Sequence, residues 1–274
     1  MRSEPLALAL LRLVAERGAR TGFIDTPAGP MRFAVRGPEG ARPLLVLHGL
    51  SDSIPGWARA ASELARSHRV HLLDLPGHGL SGDPPDWRLG TLLSAVESYA
   101  LTLDRPLVVG HSLGGWLALK LLARRPRLAS GLVVINPAGA TVPAEELQDF
   151  LGVLSPATRA DVRRYLSLAF RRPPLALRLA PGEVIKAMHA KNARGFLTSL
   201  EADDFLAAGE LRALDLPLRL VWGRHDRFLP AASLPFFREH LRGAELVLLE
   251  RAGHCPHLEA PADLARAIAA PFRD

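Results

Sequence analysis

The stretch Val108-Val109-Gly110-His111-Ser112-Leu113-Gly114-Gly115-Trp116 passes from an apolar run through a glycine-flanked serine into a second apolar run. The run that ends at Val109 suits a short buried strand, whereas the spacing over 113–122 is helical. The chain must therefore turn sharply at Ser112, and the flanking glycines, which lack a Cβ, permit such a turn. A serine hydroxyl is a weak nucleophile by itself. Chemistry at this turn requires a base, an acid that orients the base, and donors for an oxyanion.

Strand-like and helical patterns alternate on both sides of this turn. The alternation predicts a mostly parallel, doubly wound α/β sheet, with an antiparallel hairpin at one edge. Helices are predicted over 57–66, 89–103, 113–123, 234–241 and 261–270. The predicted strands are Thr21–Thr26, Met31–Arg36, Leu44–Leu47, Val70–Leu73, Leu107–Val109, Leu132–Ile135, Leu218–Trp222 and Leu246–Leu249.

The alternation breaks after Asn136-Pro137-Ala138-Gly139 and resumes near residue 205. Between these points the pattern is helical, divided by Pro156, Pro173-Pro174 and Pro181-Gly182. We expect one core made of residues 1–140 and 205–274, including an N-terminal helix over 1–19. Residues 141–204 are expected to form an inserted helical cap.

Composition narrows the class of protein. The chain has 274 residues, 48% hydrophobic and 23% charged, which indicates a globular protein. The formal charge of +6 comes from scattered arginines without a basic tail, so no nucleic-acid partner is expected. A single cysteine, Cys255, excludes an internal disulfide and slightly favours a reducing compartment. With no convincing signal peptide and no apolar run long enough to span a bilayer, a cytoplasmic protein without stable membrane association is predicted.

Five motifs lie at the carboxyl ends of predicted strands, where ligands bind in open α/β sheets. One Gly-x-Ser-x-Gly alone is weak evidence, whereas five motifs in a fixed order are specific. They are His48-Gly49-Leu50, Asp74-Leu75-Pro76-Gly77-His78-Gly79-Leu80-Ser81, Gly110-His111-Ser112-Leu113-Gly114-Gly115, Trp222-Gly223-Arg224-His225-Asp226 and Gly253-His254.

Over about residues 21 to 272 the chain resembles the α/β-hydrolase-fold serine hydrolases, esterase- and lipase-like, with a helical cap. The resemblance implies a mostly parallel eight-stranded sheet flanked by helices. It implies that Ser112 is the nucleophile, Asp226 the orienting acid and His254 the base. Some relatives carry the acid after the strand that ends at Ile135, but Asn136 stands there, and an amide cannot stabilise an imidazolium as a carboxylate can.

Each of these roles has an alternative. Ser112 also suits the N-cap of the following helix, and Asp226 could cap a helix or pair with an arginine at the surface. His257, three residues after His254, competes for the role of base, although the Gly253-His254 pair matches the family's catalytic position. His48 and His111 are expected to form structural hydrogen bonds, and His78 belongs to an architectural turn.

The oxyanion donors should be the backbone N–H groups of Leu50 and Leu113, the latter at a helix N-terminus whose partial positive charge favours an anion. Apolar side chains of the insert would either roof a substrate pocket or form the insert's own core. The insert also carries nine basic residues against five acidic ones between 141 and 200, which indicates a solvated face rather than a site for acidic substrates. Candidate pocket residues are Ser51, His111, Trp116, Phe170, Met188 and Phe196.

These expectations describe a carboxylic ester hydrolase that acts on a small-molecule ester through an acyl-enzyme. No cofactor is implied. No metal is expected either, because the histidines show no ligand spacing and Cys255 has no partner. The same machinery also serves relatives that hydrolyse carbon–carbon bonds in ring-fission products, which often have an aromatic residue where Cys255 stands. A low-turnover, ligand-binding member of the fold is a third reading, but it would be expected to have a broken triad or elbow. The sequence leaves the oligomeric state open.

Overall fold

The computed structural model describes residues 12–13 and 16–272, and all eight predicted strands are present within them. They form one sheet in the order β1-β2-β4-β3-β5-β6-β7-β8, with β1 and β2 antiparallel at one edge and β3 to β8 parallel to one another. The strands are Arg20–Thr26 (β1), Gly29–Arg36 (β2), Pro43–Leu47 (β3), Arg69–Leu73 (β4), Leu107–His111 (β5), Gly131–Ile135 (β6), Leu218–Gly223 (β7) and Glu245–Leu249 (β8).

Helices cover both faces of the sheet. Neighbouring residues of β6 therefore pack on opposite faces of the sheet. Val133 belongs to the core beneath the helices at 58–64 and 261–269, and Val134 belongs to the core on the other face. The predicted helix over 57–66 starts as a 3-10 turn at Ile54–Trp57, where Pro55 stands in the first turn. The helices outside the insert are Ala58–Leu64 (α1), Leu89–Ala100 (α2), Leu113–Arg124 (α3), Ala208–Arg212 (α9), Ser233–His240 (α10), Pro256–Glu259 (α11) and Pro261–Ala269 (α12).

The insert between β6 and α9 is helical, as its pattern predicts. Its boundaries follow the prolines: Pro174 precedes one helix, and Pro181 begins the next. A parallel bridge between Ala140 and Leu206 joins the two ends of the insert. The helices are Ala144–Val153 (α4), Arg159–Ala169 (α5), Leu175–Leu179 (α6), Pro181–Met188 (α7) and Lys191–Ser199 (α8). The division of the chain into a core and a cap remains a prediction.

The ends of the chain lie partly outside this description. Of the predicted N-terminal helix over 1–19, residues 1–11, 14 and 15 are not among the described residues, whereas Arg12 and Leu13 are helical. None of the described helices combines the length and the apolarity that a bilayer-spanning segment requires.

The buried Lys120 forms an ion pair that joins α3, the helix after Ser112, to α9, the helix after the insert. Lys120 on α3 is 3% exposed, and its Nζ donates to Glu210 Oε2 at 2.8 Å and to the Phe205 carbonyl at 2.9 Å. Burial alone would raise the pKa of Glu210, but hydrogen bonds from Lys120 and the Ala207 backbone outweigh it and hold this pKa below its ordinary value. Glu210 is therefore ionised at neutral pH and balances the buried ammonium.

Replacing Glu210 by alanine should leave Lys120 as an unpaired buried cation. We expect Glu210→Ala to lower the free energy of unfolding at pH 7 by about 2 kcal/mol, less than for a fully buried pair because Glu210 is partly exposed. A carboxylate whose pKa is lowered by folding stabilises above its unfolded pKa and ceases to do so as pH falls through the folded value. The difference in the free energy of unfolding between wild type and Glu210→Ala should therefore become smaller at acidic pH.

Urea unfolding of Glu210→Ala and of Lys120→Met/Glu210→Ala at neutral and acidic pH tests this. The double variant removes the unpaired charge and should recover most of the loss. Equal stability of wild type and Glu210→Ala at pH 7 would contradict the prediction.

Candidate active site

Ser112 lies at a strained turn between β5 and α3. Its φ is +52° and its ψ is −115°, and a Cβ on Gly110 or Gly114 would overlap the neighbouring backbone. The Ser112 N–H donates to the Ile135 carbonyl at 3.0 Å, so the turn is fastened to β6. Ser112 occupies the N-cap position of α3, but its side chain makes no capping hydrogen bond. Its hydroxyl has no hydrogen-bond partner among the described residues.

The predicted base and acid are bonded to each other. His254 Nδ1 donates to Asp226 Oδ2 at 2.8 Å, with side-chain exposures of 5% and 0%. The other carboxylate oxygen of Asp226 accepts the backbone N–H groups of Phe228 at 2.8 Å and Leu229 at 3.2 Å. This arrangement fixes the histidine tautomer, since the nitrogen that donates to the carboxylate leaves Nε2 with its lone pair.

Asn136 supplies a contact that the sequence did not predict. Its amide Nδ2 donates to Asp226 Oδ2, and its Oδ1 accepts the Gly223 N–H at 3.2 Å. The residue holds a positive φ of 42°, which asparagine tolerates better than most side chains. Asn136 therefore does not merely stand where some relatives carry the acid. Its amide orients the Asp226 carboxylate, which accepts a hydrogen bond from His254.

The two predicted oxyanion donors lie beside Ser112. Neither the Leu50 N–H nor the Leu113 N–H donates to another described residue. His48 Nε2 accepts the Leu75 N–H at 3.0 Å, so His48 Nδ1 carries the proton and donates to the Gly49 carbonyl at 2.7 Å. The Gly49 carbonyl and the Leu50 N–H belong to the same trans peptide, in which C=O and N–H point in opposite directions. Because the carbonyl points toward His48, the Leu50 N–H points away from it. His48 has the structural role that its motif predicts.

Ser112, His254 and both oxyanion residues line one cavity of about 320 Å³. Its walls come from the core and from the insert, and most of the lining side chains are aliphatic or aromatic. Glu183 and Asp52 line it as well, whereas none of its lining residues in the described part of the chain is a lysine or arginine. The structure places all six predicted pocket residues on this cavity: Ser51, His111, Trp116, Phe170, Met188 and Phe196.

The insert is bonded to the segment that carries His254. The His254 N–H donates to the carbonyl of Ala169, the last residue of α5, at 2.7 Å. Glu259 spans the same junction, since its carboxylate accepts the Gly253 N–H at 2.6 Å and the Arg172 N–H at 2.9 Å. Glu259 carries no signal in the sequence, since a lone glutamate five residues after a histidine belongs to no motif.

His257, the rival base, lines the same cavity but contacts other residues. Its ring stacks on Trp57, with centroids 4.9 Å apart and planes 3° apart, and its Nε2 lies 3.3 Å from Asp52 Oδ2. His111 Nε2 donates to the His254 carbonyl at 2.7 Å, a structural bond of the kind expected for that residue. Although the sequence predicts no metal, Asp52, His111 and His257 each offer a ligand atom, all within 4.8 Å of one another.

A family model described as the alpha/beta hydrolase family matches residues 44–267, well over half of the chain. The chain belongs to the alpha/beta hydrolase family. This hydrolase is 28% identical over 233 residues to a pimeloyl-[acyl-carrier protein] methyl ester esterase of Aeromonas hydrophila subsp. hydrophila, covering 80% of the chain and 90% of that esterase. It is also 28% identical over 277 residues to a 2-hydroxymuconate semialdehyde hydrolase of Pseudomonas sp. (strain CF600), covering 94% of the chain and 92% of that enzyme.

The chain is also similar to two proteins whose names describe other activities. The hydrolase is 28% identical over 84% of its length to the dihydrolipoyllysine-residue acetyltransferase component of the acetoin cleaving system of Pseudomonas putida, and it spans only 63% of that protein. Among solved structures, a membrane phospholipase A described as a bacterial virulence factor superposes with a TM-score of 0.82 at 27% identity. That match covers 95% of this chain and 88% of the other.

Asn136→Asp is a nearly isosteric test of the contact with Asp226. The substitution replaces a donor with a second carboxylate at a buried position, and both side chains tolerate the positive φ. We expect a loss of about 2 kcal/mol or more at pH 7, or a melting temperature lower by about 4–8 °C. Thermal unfolding followed by circular dichroism measures this. An unchanged melting temperature at pH 7 would show that Asn136 and Asp226 do not contact each other.

Proposed function

We propose that this hydrolase cleaves carboxylic esters through an acyl-enzyme formed on Ser112. The observation that carries the proposal is the meeting of a strained, glycine-flanked serine and a bonded Asp226–His254 pair at one apolar cavity. The esterase among the relatives supports the reaction class. We also propose that residues 141–204 act as a cap, because their side chains form much of the wall over Ser112.

In the proposed mechanism Ser112 Oγ attacks the ester carbonyl while His254 Nε2 takes its proton. Asp226 holds the resulting imidazolium and is held in turn by four donors: His254, Asn136 and two backbone N–H groups. The carbonyl oxygen gains negative charge and accepts from the Leu50 and Leu113 N–H groups. His254 then protonates the leaving alcohol, and water, activated by the same nitrogen, resolves the acyl-enzyme.

Hydrolysis of a carbon–carbon bond is the second candidate, since the 2-hydroxymuconate semialdehyde hydrolase aligns with almost the whole chain. The substrate in that name carries a carboxylate, which would require a cationic partner once it was desolvated. The cavity offers Glu183 and Asp52 but no lysine or arginine among its lining residues. This lining favours neutral substrates and thus ester hydrolysis.

Ser112→Ala should abolish the hydrolysis of p-nitrophenyl esters. Removal of the nucleophile is expected to lower kcat by at least about 10³-fold, because the covalent route is lost while the cavity remains. A fluorophosphonate probe should label wild type and not the variant. Ser130→Ala, which alters an exposed serine directly before β6, is the control and should retain labelling. Undiminished turnover in Ser112→Ala would refute the acyl-enzyme mechanism.

The charge of the cavity predicts its selectivity. Paired substrates of equal chain length, one a neutral methyl ester and the other ending in a free carboxylate, should differ in kcat/KM by at least about tenfold in favour of the neutral one, since an unpaired buried carboxylate costs more than 1.4 kcal/mol. Equal rates, or a ring-fission dienoate hydrolysed faster than every ester, would instead favour the carbon–carbon bond hydrolase.

A further inference from the structure

Three residues from separate parts of the chain lie close together at one side of the cavity. Asp52 follows β3, His111 ends β5, and His257 lies on α11. One ligand atom from each lies within 4.8 Å of the other two, and all three residues line the cavity. In the mechanism above, none of them touches the reacting atoms.

Each of the three residues has a buried polar atom that lacks a hydrogen-bond partner among the described residues. These atoms are Asp52 Oδ2, His111 Nδ1 and His257 Nδ1. A buried polar atom without a partner costs about 1–3 kcal/mol, and so native proteins usually satisfy it with protein, water or an ion. Two of these atoms, Asp52 Oδ2 and His111 Nδ1, are acceptors that face the His257 ring, and they indicate a site for a ligand that accepts electron pairs.

His111 is held in the tautomer that a metal ligand needs. Its Nε2 donates to the His254 carbonyl at 2.7 Å, and a carbonyl can only accept, so Nδ1 of the neutral ring carries the lone pair. An ideal Cβ on Gly49 would lie 3.0 Å from Nδ1, so glycine allows the chain to pass close to this nitrogen. A ring bonded to a carbonyl through its other nitrogen is typical of metal-binding histidines.

The other two residues have the separation of neighbouring zinc ligands. His257 Nε2 lies 3.3 Å from Asp52 Oδ2, yet the two atoms are not aligned as a hydrogen bond. Ligands about 2.0–2.1 Å from a tetrahedral zinc ion lie about 3.3–3.4 Å from each other.

We propose that Asp52, His111 and His257 form a binding site for a divalent transition-metal ion of the zinc class, with a fourth coordination position open to the cavity. Two imidazoles and one carboxylate suit such an ion. The Cys255 thiol is not among the ligand atoms that meet at this point. A bound ion would lie at the wall of the cavity that Ser112 also lines, and it would compete with a substrate for this space.

Calorimetric titration of the chelator-treated full chain with zinc chloride tests the proposal without using turnover. We expect one ion per chain, and a dissociation constant at least about tenfold higher in Asp52→Asn and in His257→Gln. His68→Gln, at the opposite end of β4 from the cavity, is the matched control and should bind as wild type does. Zinc should inhibit ester hydrolysis at the concentration at which it binds.

Cobalt substitution keeps the test decisive if a variant does not fold. The visible spectrum of cobalt-loaded wild type should indicate nitrogen and oxygen ligands in tetrahedral geometry, without a thiolate charge-transfer band. Absence of stoichiometric binding, undiminished binding in both variants, a thiolate band, or loss of binding in His254→Gln alone would overturn the proposal. Because binding is measured without substrate, failure of the esterase assignment would leave this result unaffected.

Discussion

Ser112 is held in a backbone conformation that non-glycine residues rarely adopt, and the rest of the site depends on this turn. A positive φ of this kind costs of the order of 1–3 kcal/mol and persists only when its surroundings enforce it. Here the Ser112 N–H bonds the Ile135 carbonyl, and the Ser112 carbonyl accepts the Ala138 N–H at 3.1 Å. Gly114 is needed because a Cβ there would overlap the Leu47 carbonyl. The turn is therefore built jointly by the ends of β3, β5 and β6.

The same kind of strain recurs where the other site groups are presented. Four non-glycine residues of the described chain have a positive φ, and three of them are Ser51, Ser112 and Asn136. Ser51 follows β3 beside the proposed oxyanion donor Leu50, Ser112 follows β5, and Asn136 follows β6 and bonds Asp226. Parallel strands end at one edge of the sheet, and their loops must reverse sharply there to aim polar groups into a shared cavity. The three strained residues therefore lie at the same edge of the sheet as the candidate site.

The sequence predicted those features that depend on local pattern. Six of the eight strands follow from apolar runs, and the edge hairpin follows from two strand-like runs around a turn. The order of the motifs identified Ser112, Asp226 and His254, and the last two are hydrogen-bonded to each other. Partners that meet only through loop packing were missed. Asn136 and Asp226 are 90 residues apart, and Glu259 and Arg172 are 87 apart. Periodicity and residue spacing carry no information on such pairs, because the path of each loop decides whether they touch.

The insert is hydrogen-bonded to the proposed base, His254, so the shape of the cavity wall and the position of this histidine are not independent in this fold. The carbonyls at the end of α5 accept the His254 N–H at 2.7 Å and the Arg227 N–H at 3.2 Å, one from each loop of the Asp226–His254 pair. The next residue, Phe170, lines the cavity. A shift of α5 that reshapes the wall would therefore move the backbone of His254. Changes of specificity are easier where this anchor is absent, on α7 and α8, whose Met188 and Phe196 line the cavity without bonding either loop.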